Sequence, residues 1–314
     1  MEQTASTPPP ATVRASGLSP YSKLAWGVLG YNLLVIVWGA LVRATKSGAG
    51  CGGHWPLCNG DVLPEVTQMA TVIEFTHRIM SGLALVSAVW LWWKARKAFG
   101  EGHAARRWAG WSVFFMITEA LVGAGLVLWG LVAGDTSVAR VYVLGIHLVN
   151  TFLLIACLAL TAWWADGHAR EATVGGRAAL FAKIGLVVLT VVSAAGAITA
   201  LGDTLFPSGS FAEGLRKDFV ETAHFLVRLR VIHPALAVAG ALYMMLLVWP
   251  EVRTQRSDRL FGLAVSISGG VLMQVALGML NVMMAAPLEI QLAHLLLADL
   301  VWIASVLFVS ERTA

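Results

Sequence analysis

Apolar residues run in long, nearly unbroken stretches along most of the chain, and they do not alternate with polar residues. Eight of these stretches are about 20 residues or longer, which is the length that a helix needs to cross a lipid bilayer. They cover residues 24–43, 72–94, 108–131, 141–165, 179–201, 228–249, 260–284 and 289–310. The pattern predicts an all-α polytopic membrane protein with eight transmembrane helices and short connections.

Composition strengthens this prediction, because 58% of the 314 residues are hydrophobic and only 13% are charged. These fractions exclude a water-soluble fold. Residues 1–23 are polar and proline-rich and have no apolar core typical of a signal peptide, so we expect a disordered cytoplasmic tail. The net charge of +4 comes mainly from short connections, which indicates membrane orientation and disfavours nucleic acid as a partner.

Lysine and arginine are divided unequally between the two sets of connections. Thirteen lie in the tails and in the connections after the second, fourth and sixth spans, and five lie in the remaining connections. Positive residues concentrate on the cytoplasmic side of membrane proteins. We therefore expect a multi-pass protein of the plasma membrane with both termini in the cytoplasm. The segments expected outside are 44–71, 132–140, 202–227 and 285–288.

The last four spans repeat features of the first four. The aligned positions are 73–78 with 229–234, 119–123 with 274–278, and His147 with His294. Agreement at several independent positions predicts an internal duplication. We expect two pseudo-twofold-related four-helix bundles, 24–165 and 179–310, joined by a cytoplasmic linker at 166–178.

Four of the eight histidines lie inside apolar stretches, one on each even-numbered span: His77, His147, His233 and His294. All four are expected near the outer ends of their spans, and therefore at one depth. A single membrane histidine is explained equally well by a hydrogen bond between helices. Two repeated pairs are more typical of ligands to haem iron, since imidazoles from facing helices hold haem within bundles.

Glu74 lies three residues before His77, so the two side chains share one face of a helix. A carboxylate at this position can hydrogen-bond a ligand, transfer protons or stabilise a developing cation, and the alternative is an ion pair with Arg78. The repeat partner of Glu74 is Arg230, which suggests that one half performs chemistry while the other holds a cofactor. Arg78, Arg228 and Arg230 are candidate partners for haem propionates, with lipid headgroups as the alternative.

Two cysteines, Cys51 and Cys58, lie in the first connection expected outside, where oxidation is permitted. We expect a disulfide between them, with two free thiols as the alternative, and spacing alone leaves a structural and a redox role open. Glu119, within the third span, is costly to bury as an anion, and its role is left open.

Taken together, these residues resemble the haem A synthase family. The resemblance rests on the loop 50–60 with its cysteine pair, on the sequence Glu-Phe-Thr-His-Arg at 74–78, and on single histidines at 147, 233 and 294. It implies an eight-helix membrane oxidoreductase that oxidises the C8 methyl group of haem O to a formyl group. The product, haem A, serves cytochrome oxidase.

Carried over by position, the resemblance implies that His77 and His147 flank the substrate haem, with Glu74 assisting as the catalytic residue. It implies that His233 and His294 ligate a haem b. Cys51 and Cys58 correspond to the cysteine pair that some bacterial members carry in this loop.

The resemblance also suggests partners. Haem O and the lipid bilayer are implied directly, and haem O synthase and cytochrome oxidase assembly factors are candidates by analogy. Homo-oligomerisation stays open. One departure is Pro234, which stands where the first half has Arg78 and is expected to kink the sixth span.

Two other functions compete with the synthase. A di-haem b electron-transfer protein, linked to quinol, would hold permanent haems in both halves and make no product. A non-enzymatic haem-handling assembly protein would bind and release haem without oxidising it. The charge difference between Glu74 and Arg230, together with the cysteine pair, favours the enzyme.

Overall fold

A computed structural model of the protein describes residues 18–65, 68–167, 176–255 and 257–313, and these are almost entirely helical. The α-helices of this described part are α1 (Pro20–Ala44), α2 (Met69–Ala98), α3 (Ala104–Leu128), α4 (Val138–Ala165), α5 (Arg177–Leu205), α6 (Phe211–Asp218), α7 (Phe225–Leu229), α8 (Ile232–Thr254), α9 (Asp258–Met283) and α10 (Leu288–Thr313). Eight segments are long and apolar enough to cross a membrane, with α7 and α8 together forming one of them. The predicted all-α fold with eight spans is confirmed.

Several helices extend beyond the apolar stretches because polar residues cap them. The α1 helix begins at Pro20 and not at residue 24, since the Ser19 side chain accepts a hydrogen bond from the Ser22 N–H at 3.1 Å and proline suits the first helical position. Residues 20–23 of the expected tail are therefore helical, and α5 takes in the end of the expected linker. Residues 1–17 and 168–175 lie outside the described residues.

The sixth span is interrupted close to its histidine. Helix α7 ends at Leu229 and α8 begins at Ile232, so His233 lies in the first turn of α8. Pro234 has no N–H to donate to the Arg230 carbonyl, and its ring opposes a continuous helix at that point. The kink expected at this proline takes the form of a break just before it.

The spans pack as two closed rings of four helices. In the first ring α1 contacts α2, α2 contacts α3, α3 contacts α4, and α4 returns to α1. In the second ring α5, α8, α9 and α10 are connected in the same manner. The recurrence is consistent with a pseudo-twofold relationship between the two groups of spans.

The rings meet where α1 and α4 pack against α5 and α10. In this contact the rings of Phe152 and Trp302 stack with centroids 4.6 Å apart, and the Trp302 indole N–H donates to the Phe152 carbonyl at 2.8 Å. Nearer one end, the Arg43 guanidinium donates to the Ala200 carbonyl and to the Thr204 hydroxyl, both at 2.7 Å. A mostly apolar contact with a few buried hydrogen bonds therefore joins the two rings.

Candidate functional site

One end of the molecule carries the connections 45–65, 129–137, 206–224 and 284–287. We call it the disulfide face, because the disulfide of Cys51 and Cys58 lies there with an S–S distance of 2.01 Å. The expected disulfide is confirmed. The four span histidines lie within the first three helical turns of the spans that start at this face.

Each of these histidines rests against a glycine on the preceding span. A Cβ atom at Gly39 would lie 3.0 Å from His77 Cε1, and one at Gly196 would lie 2.9 Å from His233 Cε1. The corresponding distances are 3.8 Å for Gly123 and His147 and 3.2 Å for Gly278 and His294. Most of these approaches are too close for a larger residue, so glycine gives the imidazole its space.

The histidines of each half lie on opposite helices of one ring. His77 is on α2 and His147 on α4 in the first ring, and His233 is on α8 and His294 on α10 in the second. Each ring therefore carries two histidines on opposite helices near the disulfide face, in the pairs that the repeat predicts.

The ring nitrogens of these histidines suit iron ligands. The Nδ1 atom of His233 lies 3.1 Å from the Val192 carbonyl oxygen. Because a carbonyl only accepts, this Nδ1 is the donor, and the lone pair stays on Nε2. The Nδ1 atoms of His77, His147 and His294 are buried without a hydrogen-bond partner among the described residues. Paired imidazoles with an available lone pair fit haem iron in both halves.

Behind His147, the side chains of α3 and α4 form a polar network. Asn150 Nδ2 donates to Glu119 Oε2 at 2.6 Å, and the Thr151 hydroxyl donates to Glu119 Oε1. Glu119 Oε1 also lies 3.4 Å from His147 Nδ1. That contact does not have hydrogen-bond geometry, yet it places a carboxylate directly at the back of the imidazole.

The second half has an amide at the equivalent place. Gln274 donates from Nε2 to the His294 carbonyl oxygen at 3.0 Å, and its Oε1 has no hydrogen-bond partner within the described part of the chain. The two histidine pairs therefore have neighbours of different charge.

Glu74 connects the disulfide loop to α2. Its side chain is 3% exposed, and its Oε2 accepts a hydrogen bond from the Cys51 backbone N–H at 2.8 Å. Its Oε1 accepts from Arg78 at 2.5 Å, and Arg78 also donates to the carbonyls of His54 and Leu57. The alternative ion pair with Arg78 is present, and both carboxylate oxygens of Glu74 are engaged.

The three candidate propionate partners are placed differently. Arg230 is 7% exposed and forms ion pairs with Asp218 at 2.7 Å and with Asp203 at 3.0 Å, while Arg78 is bound to Glu74 and the loop. Arg228 is exposed at the disulfide face. Of the three, Arg228 has the side chain most open to an incoming carboxylate.

Sequence reasoning missed the polar network behind His147 and the glycine contacts. A signal for the network exists, since Asn150 and Thr151 lie three and four residues after His147 and so share its helix face. The partner Glu119 comes from another helix, and only the packing of α3 on α4 reveals that it faces His147.

Comparisons with known proteins bear on this site. Residues 22–306 match the family described as cytochrome oxidase assembly protein, COX15-CtaA. A relative named protoheme IX farnesyltransferase, from Thermus thermophilus, is 48% identical over 280 residues, which are 89% of this chain and 46% of that protein.

Two further relatives are named heme A synthase. The one from Bacillus licheniformis is 36% identical over 165 residues, or 51% of each chain, and the one from Lysinibacillus sphaericus is 36% identical over 132 residues, or 41% of this chain and 39% of that protein. The chain spans about half the length of the curated relatives it matches, or less. Because the family match covers most of its length, the chain belongs to the COX15-CtaA family of cytochrome oxidase assembly proteins.

Proposed function

We propose that the protein is a haem A synthase, a membrane oxidoreductase that converts the C8 methyl group of haem O to the formyl group of haem A. The observation that carries the proposal is the pair of histidine sites on the disulfide face, of which the first has Glu119 beside His147 and the buried Glu74 on the helix of His77. Membership of the cytochrome oxidase assembly family and the relatives named heme A synthase support it.

In this proposal the first half binds the substrate. His77 and His147 hold the iron of haem O, and Glu74 assists the oxidation. We also give Glu74 a positioning role in this proposal, which is supported by the attachment of the disulfide loop through its carboxylate to the helix that carries His77. Arg228, on α7 of the second half, is the candidate partner for a haem propionate at the second site, since Arg78 and Arg230 are bound to other residues.

The second half holds a cofactor in this proposal. His233 and His294 ligate haem b, which supplies one-electron transfer when bound. The hydrogen bond from His233 Nδ1 to the Val192 carbonyl holds the ring and leaves the lone pair on Nε2, which would be the atom that ligates the iron.

The same proposal places the protein in the plasma membrane with both termini in the cytoplasm and the disulfide face outside. The excess of lysine and arginine on the opposite connections supports this orientation. Haem O synthase and cytochrome oxidase assembly factors are the proposed partners, as the enzymes and proteins that supply haem O and receive haem A.

A second candidate is farnesyl transfer to protohaem, which the name of the Thermus relative suggests. More than half of that protein lies outside the match. The match therefore does not say which part of the relative carries the farnesyltransferase activity. A di-haem b electron carrier and a haem-handling assembly protein are the remaining alternatives.

One expression experiment separates these functions. The full chain is expressed in cells with and without a supply of haem O, and its extracted haems are identified by chromatography and mass. A synthase yields haem A only in the cells that supply haem O. Haem O appearing in cells that lack a supply would instead identify a farnesyltransferase, and haem B alone in both would favour the electron carrier.

Variants test the assignment of the two sites. His233→Ala should remove haem b while the substrate haem stays bound, and His77→Ala should do the opposite. His103→Ala, on the opposite face at the start of α3, is the matched control and should retain both haems. If His233→Ala and His77→Ala each lost both haems, the proposal of two separate haem sites would be contradicted.

A further inference from the structure

Glu119 places a carboxylate beside the ring of His147. Its carboxylate lies 3.4 Å from Nδ1 of His147, whereas the Nδ1 of His233 faces a neutral carbonyl. The equivalent residue in the second half is Gln274, whose amide donates to a backbone carbonyl. Of the described neighbours of the Nδ1 atoms, the anionic one belongs to His147.

The position of Glu119 is set by several hydrogen bonds. Asn150 donates one N–H to Glu119 and the other to the Phe115 carbonyl at 2.8 Å, and its oxygen accepts from the Thr118 hydroxyl at 2.6 Å. The Thr151 hydroxyl donates to the other carboxylate oxygen. These contacts hold the carboxylate at the back of the imidazole before any ligand binds.

We infer that Glu119 is a positioning residue that accepts the Nδ1–H of His147 and makes this imidazole a stronger electron donor than the other three. The inference rests on the proposed role of His147 as an iron ligand. Nδ1 of His147 has no other hydrogen-bond partner among the described residues, and the carboxylate at 3.4 Å is the acceptor nearest to it in the network. A carboxylate in this place fixes the tautomer and raises the basicity of a metal-bound histidine.

The consequence is that the two haem sites differ in reduction potential. A strongly donating ligand with a nearby negative charge stabilises ferric over ferrous iron, so it lowers the potential. The first site is therefore tuned to favour the oxidised state of its iron, and the second site, with Gln274, is tuned to favour reduction.

The test is a reciprocal exchange of the two residues. The full-length protein is purified anaerobically from cells that supply haem O, and the midpoint potentials of both bound haems are measured by spectroscopic titration. Glu119→Gln, which gives the first site the residue of the second, should raise the potential of haem O and leave that of haem b unchanged. Gln274→Glu should lower the potential of haem b and leave that of haem O unchanged.

Ser112→Ala is the matched control, because it removes a buried hydrogen bond on the same helix, from the Ser112 hydroxyl to the Ala109 carbonyl, and leaves the network around Glu119 intact. It should leave both potentials close to those of the unaltered protein. If Glu119→Gln keeps its haem content and the potential of haem O is unchanged, the inference about Glu119 is wrong, while the proposed function is unaffected. Retention of both haems by His147→Ala overturns both.

Discussion

The Glu74 carboxylate accepts a hydrogen bond from the backbone N–H of Cys51 at 2.8 Å, so the disulfide loop is attached to α2 three residues before His77. Arg78 reinforces the attachment, because it pairs with Glu74 and donates to the carbonyls of His54 and Leu57. The loop and the first histidine site are therefore mechanically connected.

Glu74→Gln should keep both haems bound and lower the formation of haem A by about 100-fold or more, the usual effect of losing an acid–base group. Haem content and product are measured in the same preparations. Unchanged product formation would refute a role for Glu74.

Arg78→Ala separates chemistry from attachment. It removes two hydrogen bonds to the loop and the ion pair of Glu74, while the Glu74 carboxylate and its hydrogen bond from the Cys51 N–H are kept. If Glu74 acts on the substrate directly, Arg78→Ala should retain much more product formation than Glu74→Gln. Equal loss in the two variants would assign Glu74 a positioning role alone.

The disulfide should matter to the first site and not to the second. Replacing both Cys51 and Cys58 by serine removes the cross-link between residues that are 7 apart in sequence. Losing a disulfide that closes so short a loop lowers the free energy of unfolding by about 2 to 3 kcal/mol in the chain-entropy model. We expect faster hydrogen exchange in residues 50–60 and lower retention of the substrate haem. Haem b should be retained as before, and Cys157→Ala, remote from the loop, is the control. Equal loss of both haems would contradict this prediction.

Replacing the glycines that contact the histidines by alanine should weaken haem binding, and the loss should be larger where the added Cβ lies closer to the imidazole. At Gly196 the added Cβ would lie 2.9 Å from the His233 ring, and overpacking of this kind costs about 1 to 3 kcal/mol. The affinity for haem b should therefore fall about fivefold or more. At Gly123 the added atom would lie 3.8 Å from His147, which is an ordinary contact.

The measurement is the occupancy of each haem in Gly196→Ala, in Gly123→Ala and in Gly269→Ala. Gly269 has open space at its Cβ position and serves as the control. Similar losses in all three variants would show that helix packing in general, and not the histidine contact, sets the haem occupancy.

The contact between the two rings should depend on the Trp302 indole. Trp302→Phe removes its hydrogen bond to the Phe152 carbonyl while keeping an aromatic ring, and such bonds within membranes contribute about 0.6 to 1.7 kcal/mol. We expect a Tm lower by a few degrees. Trp249→Phe, at an exposed position, should leave the Tm unchanged, and equal shifts in the two variants would contradict the prediction.

The sequence predicts the spans well because burial in a bilayer demands long apolar stretches, which are visible without any tertiary information. It predicts helix ends less well. At α1 the cap by Ser19 and the first-turn proline extend the helix into polar sequence. At α7 and α8, Pro234 identifies the place of the distortion, while its form as a break depends on the surrounding contacts.

The candidate site follows the same division. The internal repeat predicts which histidines pair, because the same two positions carry a histidine in each half, and this can be read from the sequence alone. The attachment of Arg78 to loop carbonyls and the approach of Glu119 to His147 depend on how separate elements pack, and composition and spacing contain no record of them.

The glycine contacts have a consequence for how a ligand set can be assembled. Each histidine and the glycine that makes room for it lie on two consecutive spans. One helical hairpin therefore carries one histidine together with the glycine that makes room for it, and each histidine pair is assembled from two hairpins. The smallest repeated unit of this molecule is thus a helical hairpin with one histidine and one glycine, which is half the size of the four-helix bundle that the sequence repeat indicates.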